Sequence, residues 1–130
     1  MCVGGMSDAA EIAVVVHPEN STLRLAQKDV KRIFLGKKSA YPDRSVAVPV
    51  DQKLENQIRD DFYLKVAGKA PPQMQTYRAK MVFSGRAKSL KVLANDDSVK
   101  RWVASNKKAI GYIWQESVDE SVKVVLTIEL

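Results

Sequence analysis

Few side chains in this 130-residue chain have the type and spacing to do chemistry. His17 is the single histidine and Cys2 the single cysteine. No second imidazole or nearby thiolate exists to build a metal set, and no intrachain disulfide can form. His17 closes an apolar run and reads as a strand-end residue satisfied by a turn. Asp60 and Asp61 are neighbours on an expected helix, where successive side chains diverge by about 100°. Two carboxylates so placed do not share a substrate, and they read as a solvated face. A Gly-x-Ser-x-Gly elbow, a phosphate loop ending in Gly-Lys-Ser and a dinucleotide fingerprint are all absent from the sequence. The sequence therefore offers no catalytic residue, no metal ligand set and no cofactor, and the chain reads as a non-enzyme.

The stretch that most resembles a ligand cradle is MVFSGRAKSLK, residues 81 to 91. An anion site needs free backbone N–H groups at the positive end of a helix, its N-terminus. Ser84 and Gly85 instead fall where the preceding helix should end, which presents carbonyls and the negative end of the dipole. Gly85 then serves as a left-handed stop, and Arg86 and Lys88 are cations suited to a helix C-terminus.

The charge is more suggestive than the motifs. The formal balance is +6, and no acidic residue lies between Phe62 and Asn95, a span that holds Lys65, Lys69, Arg78, Lys80, Arg86, Lys88 and Lys91. A second basic group, Lys28, Lys31, Arg32, Lys37 and Lys38, surrounds the first expected helix, opposed by Asp29. Such a face suits a phosphate-backbone binder only if base-stacking or groove-reading groups accompany it. Tyr77, Phe83, Trp102 and Trp114 fall mainly on apolar positions expected in the core, so nucleic acid is a disfavoured partner.

The elements that would position these residues follow from periodicity. EIAVVVH, residues 11 to 17, is a β-branched run ending at Pro18 and reads as a buried strand. A short helix from about 27 to 35 carries Val30, Ile33 and Phe34 on one face and stops at Gly36, with Ala26 a poor N-cap. SVAVPVD alternates as a strand, with Pro49 near an edge or strand end. Asp51 then caps a helix from about 52 to 67 striped by Leu54, Ile58, Phe62 and Val66 and closed by Gly68. Pro71 and Pro72 open another helix that runs to Gly85. SLKVLA is a strand, and Asn95 to Asp97 cap a helix from about 97 to 105. AIGYIW and VKVVLTI are further strands. The order β-α-β-α-α-β-α-β-β favours an α/β domain with a mixed, largely parallel sheet flanked by helices. With 45% hydrophobic and 28% charged residues, a chain of this length can bury one ordinary core. No apolar run reaches the length of a membrane span. Residues 1 to 10, MCVGGMSDAA, read as a disordered, processed or engineered beginning without a secretory leader, and the domain is taken as residues 11 to 130.

In order and spacing, IAVVVHPEN, DVKRIFLGKKSAYPD, VAVPVD, IRDDFYLKV, YRAKMVFSG and AIGYIW resemble the phosphate-binding component of phosphate ABC transporters, within the type II periplasmic solute-binding superfamily. IFLGK and AIGYI together carry most of the likeness, which spans about residues 11 to 126. The resemblance is to the second of the family's two α/β lobes. It implies a single-lobe fold, a periplasmic or exported location, a small oxyanion such as phosphate as ligand, and a second lobe, second chain or transporter component as partner. The first lobe's Gly-Ser-Ser-type loop has no counterpart here. Where the family carries Arg-x-Asp-Gly-Ser-Gly-Thr after the strand matching VAVPV, this chain reads VDQKLENQIRDDF, with Phe62 as the matching aromatic. Asp51 stands near the family's arginine and Glu55 near its anion loop. Asp51, Lys53 and Arg59 are thus the candidate ligand-binding residues. The alternative reading is a protein-interaction or accessory envelope component that has lost small-ligand binding.

Overall fold

The computed structural model describes residues 10–130. The expected disordered beginning, Cys2 included, lies outside the described residues, apart from Ala10, whose carbonyl accepts from Leu130 N at 3.1 Å.

In chain order the elements are β1 (Glu11–Val16), α1 (Gln27–Phe34), β2 (Val48–Gln52), α2 (Gln57–Ala67), α3 (Pro71–Phe83), β3 (Lys91–Leu93), α4 (Asp96–Ser105), β4 (Ala109–Trp114) and β5 (Lys123–Glu129). The sheet order is β3-β2-β4-β1-β5. β2 runs parallel to β3 and β4, whereas β1 is antiparallel to both β4 and β5. The sheet is mixed as expected but not largely parallel: parallel pairing is confined to the β3-β2-β4 half, because β1 runs antiparallel to both of its neighbours.

β1 shows why its continuous apolar run is needed. Both of its faces are covered, so alternate side chains go to different cores. Ile12, Val14 and Val16 pack with α1, α2 and α3. Ala13 and Val15 pack with Val99 and Val103 of α4. The layers are therefore three helices, the sheet, and one helix. α4 lies close to the sheet at Gly111 of β4, where an added Cβ would sit 2.7 Å from Val99 Cγ1 and 3.2 Å from Val50 Cγ2.

Pro49 is tolerated because of where β3 begins. At Pro49, β2 pairs with β4 alone, and β3 joins only at Val50, so the missing N–H deprives no ladder partner. The helix ends follow local chemistry. Asn95 Oδ1 accepts from Ser98 N at 2.9 Å and caps α4. Gly36, Gly68 and Gly85 follow α1, α2 and α3 with φ of 78°, 66° and 73°. His17 Nδ1 accepts from Glu19 N at 3.0 Å, the turn expected for it.

Four further expectations change. α2 starts at Gln57, not at residue 52, with Asn56 as N-cap. Asp51 is not a cap, because β2 continues through Gln52 and holds Asp51 in register with Val92. Leu54 consequently falls in the β2–α2 turn and is 52% exposed rather than part of the α2 stripe. Phe83, expected in the core, is 95% exposed at the end of α3. Among the seven cations of the basic span, Lys69 and Lys91 lie over the Tyr77 and Trp102 rings, at 5.0 and 4.3 Å, and Arg78 turns inward.

Gly36 and Gly68 differ in a way that can be measured. A Cβ on Gly36 would meet Ala87 Cβ at 2.7 Å, whereas a Cβ on Gly68 meets nothing within 4 Å. Gly68→Ala should lose only the left-handed conformational cost of about 1–2 kcal/mol. Gly36→Ala should lose more, because Ala87 must also move, and urea unfolding of the two variants compares them directly.

Candidate functional site

The site grows from a carboxylate in the core. Alternation along β2 sends Val50 toward α4, so Asp51 points to the opposite face, among the aromatics of α2 and β4. Asp51 is 4% exposed. A buried charge is costly unless it is paired and hydrogen-bonded, and Asp51 is both. Tyr63 Oη donates to its Oδ2 at 3.0 Å, Tyr112 Oη donates to Oδ1, and Gln52 N donates to Oδ1 at 2.9 Å. Arg59, 6% exposed on the first turn of α2, brings Nε to 3.5 Å from Oδ2. The Arg59 guanidinium also lies 5.2 Å from the Tyr63 ring centroid.

The aromatic packing aims the two hydroxyls. Phe62 stacks on Tyr112 with centroids 4.0 Å apart and planes 6° from parallel, and Phe34 meets Phe62 edge-on at 4.9 Å. α1, α2 and β4 are held by this cluster. Arg78 of α3 extends the network, donating from Nη2 to Phe34 O at 2.7 Å and to Tyr63 Oη at 3.2 Å. A second polar cluster adjoins it. Buried Gln52 donates from Nε2 to Asp96 Oδ1 and to Tyr112 O, both at 2.9 Å. Asn56 Nδ2 donates to Gln52 Oε1 at 3.0 Å and to Ala94 O at 2.9 Å. Asp96 Oδ2 accepts from Trp114 N at 3.0 Å and from Ser117 Oγ at 2.7 Å.

Two clefts open beside these clusters. Asp51, Lys53 and Arg59 all line one of about 740 Å³, together with Arg78. Asp51 and Arg59 form its inner ion pair and engage each other, while Lys53 is exposed. The other cleft, about 570 Å³, lies between the N-termini of α2 and α4 and is lined by Glu55, Asn56, Asp96, Asp97 and Trp114. Helix N-termini at strand C-terminal ends are where α/β sheets take ligands, anions especially. Here Asp96 and Asp97 occupy the first turn of α4, so that positive end is met by the chain's own carboxylates.

Tyr63, Tyr112, Gln52 and Arg78 were not among the residues singled out for this site from sequence. Alternation gave no signal for them, since Asp51, one step out of phase with Val46, Val48 and Val50, reads as facing water, and only the helices covering both faces of the sheet bury it.

No family profile and no curated protein matches the chain. Solved structures do. A protein described as a phosphate ABC transporter substrate-binding protein from Clostridium perfringens, solved with bound phosphate, is 25% identical, with a TM-score of 0.73 over 90% of this chain. An ABC-type phosphate transport receptor from Vibrio cholerae gives 0.72 at 20% identity, and a phosphate-binding protein of Planctomyces limnophilus gives 0.64 at 15%, each again over 90% of this chain. The chain spans 44%, 46% and 41% of those three proteins. It has the fold of one lobe of a phosphate ABC transporter substrate-binding protein, as the sequence resemblance implied.

Removing one partner of a buried pair strands the other charge, so Asp51→Ala should cost about 3–5 kcal/mol in urea unfolding. Lys53→Ala, at an exposed position, should stay within about 0.5 kcal/mol of the parent.

Burial, reinforced by the Asp51 charge, raises the Tyr63 and Tyr112 hydroxyls well above their ordinary range. Burial also raises that of Tyr41, which donates to Lys108 O at 2.9 Å. These groups ionise more readily unfolded, near pH 10. Their contribution to stability is therefore complete below about pH 10 and is lost as pH rises toward the higher folded values. Phenolate absorbance from these three tyrosines should appear together with loss of far-ultraviolet circular dichroism, not ahead of it.

Proposed function

We propose that this chain is a non-enzymatic solute-binding module of the phosphate ABC transporter binding-protein kind, exported to the periplasm or an equivalent compartment, with the usual phosphate loop not retained. The observation that carries the reading is the match over 90% of the chain, at 25% identity, to a substrate-binding protein solved with phosphate. Its ligand is a small oxyanion held at the cleft beside Asp51. Arg59 there is already partnered by Asp51, which leaves exposed Lys53 and the inner Arg78 as the cations facing the cleft, opposed by Glu55. So modest an excess of positive charge supports weak binding. A second lobe, a second chain or a transporter component would close over this face, since the chain spans less than half of the proteins it matches.

A second reading is favoured by a separate observation. Leu54, Val82 and Val92 line the same cleft and are all exposed, which suits a protein contact without a small ligand. Calorimetric titration with phosphate and with sulfate at low ionic strength separates the two. Saturable heat that falls severalfold in Lys53→Ala supports the oxyanion reading. Absence of heat with both anions overturns it in favour of the interaction module.

A further inference from the structure

On the flank where β2 begins lies a pocket of about 570 Å³, between the α1–β2 connection and the segment from Gly85 to Lys91. Gly85 and Arg86 of the Ser-Gly-Arg stretch line it, together with Lys88. Its walls are pinned. Arg86 N and Ala87 N both donate to Met81 O, at 3.0 and 3.2 Å, and Ala47 N donates to Ser39 O at 2.9 Å.

The lining has two chemistries. Ile33, Val46, Val48, Pro49 and Leu90 supply an apolar surface, with Val46 and Val48 left about half exposed. Lys38, Arg78, Arg86, Lys88 and Lys91 supply positive charge, Lys91 being held over the Trp102 ring, and no carboxylate among the described residues lines the pocket. Lys38 is paired with Asp29 at 3.8 Å, whereas Arg86 and Lys88 form no ion pair among the described residues. Arg78 Nη1 is buried with no acceptor among them. A pocket of this size, apolar with a few convergent charges, suits a small molecule. An added peptide strand fits poorly, because Pro49 has no N–H to offer where β3 has not yet joined β2.

We propose that this pocket binds an organic monoanion with an apolar body, its carboxylate or equivalent head on Arg86 and Lys88 and its body over Val46, Val48 and Leu90. Both halves of the ligand are required. Inorganic phosphate would leave the valines in water, and a neutral alcohol would leave the cations unmatched. The pocket is separate from the oxyanion cleft in its charge-bearing residues Arg86 and Lys88, which do not line that cleft.

Titration of the full chain with octanoate, 1-octanol and inorganic phosphate, followed by amide chemical shifts, tests the assignment. Octanoate should bind saturably and shift the amides of Gly36 to Ser39 and Gly85 to Lys88, which do not line the oxyanion cleft. Octanol should bind at least tenfold more weakly, and phosphate should not saturate these resonances. The double variant Arg86→Ala/Lys88→Ala, both exposed positions, should stay folded and lose tenfold or more in octanoate affinity, while Arg86→Lys retains most of it. Octanoate that fails to saturate these resonances, octanol that matches it, phosphate that saturates them, or a double variant that binds undiminished overturns the proposal.

Discussion

The arrangement of this domain turns on one buried carboxylate. Asp51 enters the core on the second-last residue of β2, and apart from the neighbouring Gln52 N–H its partners come from elsewhere: Tyr63 and Arg59 from α2, Tyr112 from β4. A charge in a low-dielectric interior holds its neighbours to narrow positions, because each donor that drifts away leaves a desolvation penalty uncompensated. Asp51 thereby fixes the register of α2 over the sheet. The Phe62–Tyr112 stack supports this from the apolar side, bringing the Tyr112 hydroxyl to the carboxylate.

The same interaction shapes what the cleft can do. The sequence resemblance implies an arginine and a Ser-Gly-Thr turn at the corresponding place. Here the strand end carries an acid, and the nearby arginine is drawn inward to meet it. Asp96 is drawn inward too, held by Gln52, Trp114 N and Ser117. Side chains and backbone groups beside the clefts are thus engaged with one another. Among the described residues, cations without an ion pair lie at the rim, at Lys53, and in the other pocket, at Arg86 and Lys88.

Much of the fold was legible because it rests on local rules. The β-branched run of β1, the glycines after α1, α2 and α3, and the Asn95 cap follow from neighbours a few residues away. The errors fell where a distant partner outweighed local pattern. Leu54 fits a helical stripe with Ile58, Phe62 and Val66, yet β2 continues through Gln52 and displaces it to a turn. Phe83 looks like a core residue by type, but at the last residue of α3 it stays 95% exposed.

Sequence by itself determined the class of the fold and the order of its elements, because hydrophobic period and caps are written in one dimension. Asp51, Lys53 and Arg59 could be picked out in that way, but not what they do. Only the tertiary structure decided that Asp51 and Arg59 neutralise each other beneath Lys53, and that two tyrosines far apart in the chain share that carboxylate. The reason is physical: whether a charged side chain faces water, a ligand or another side chain depends on which distant residues the packing brings within hydrogen-bond reach, and local periodicity carries no information about that distance.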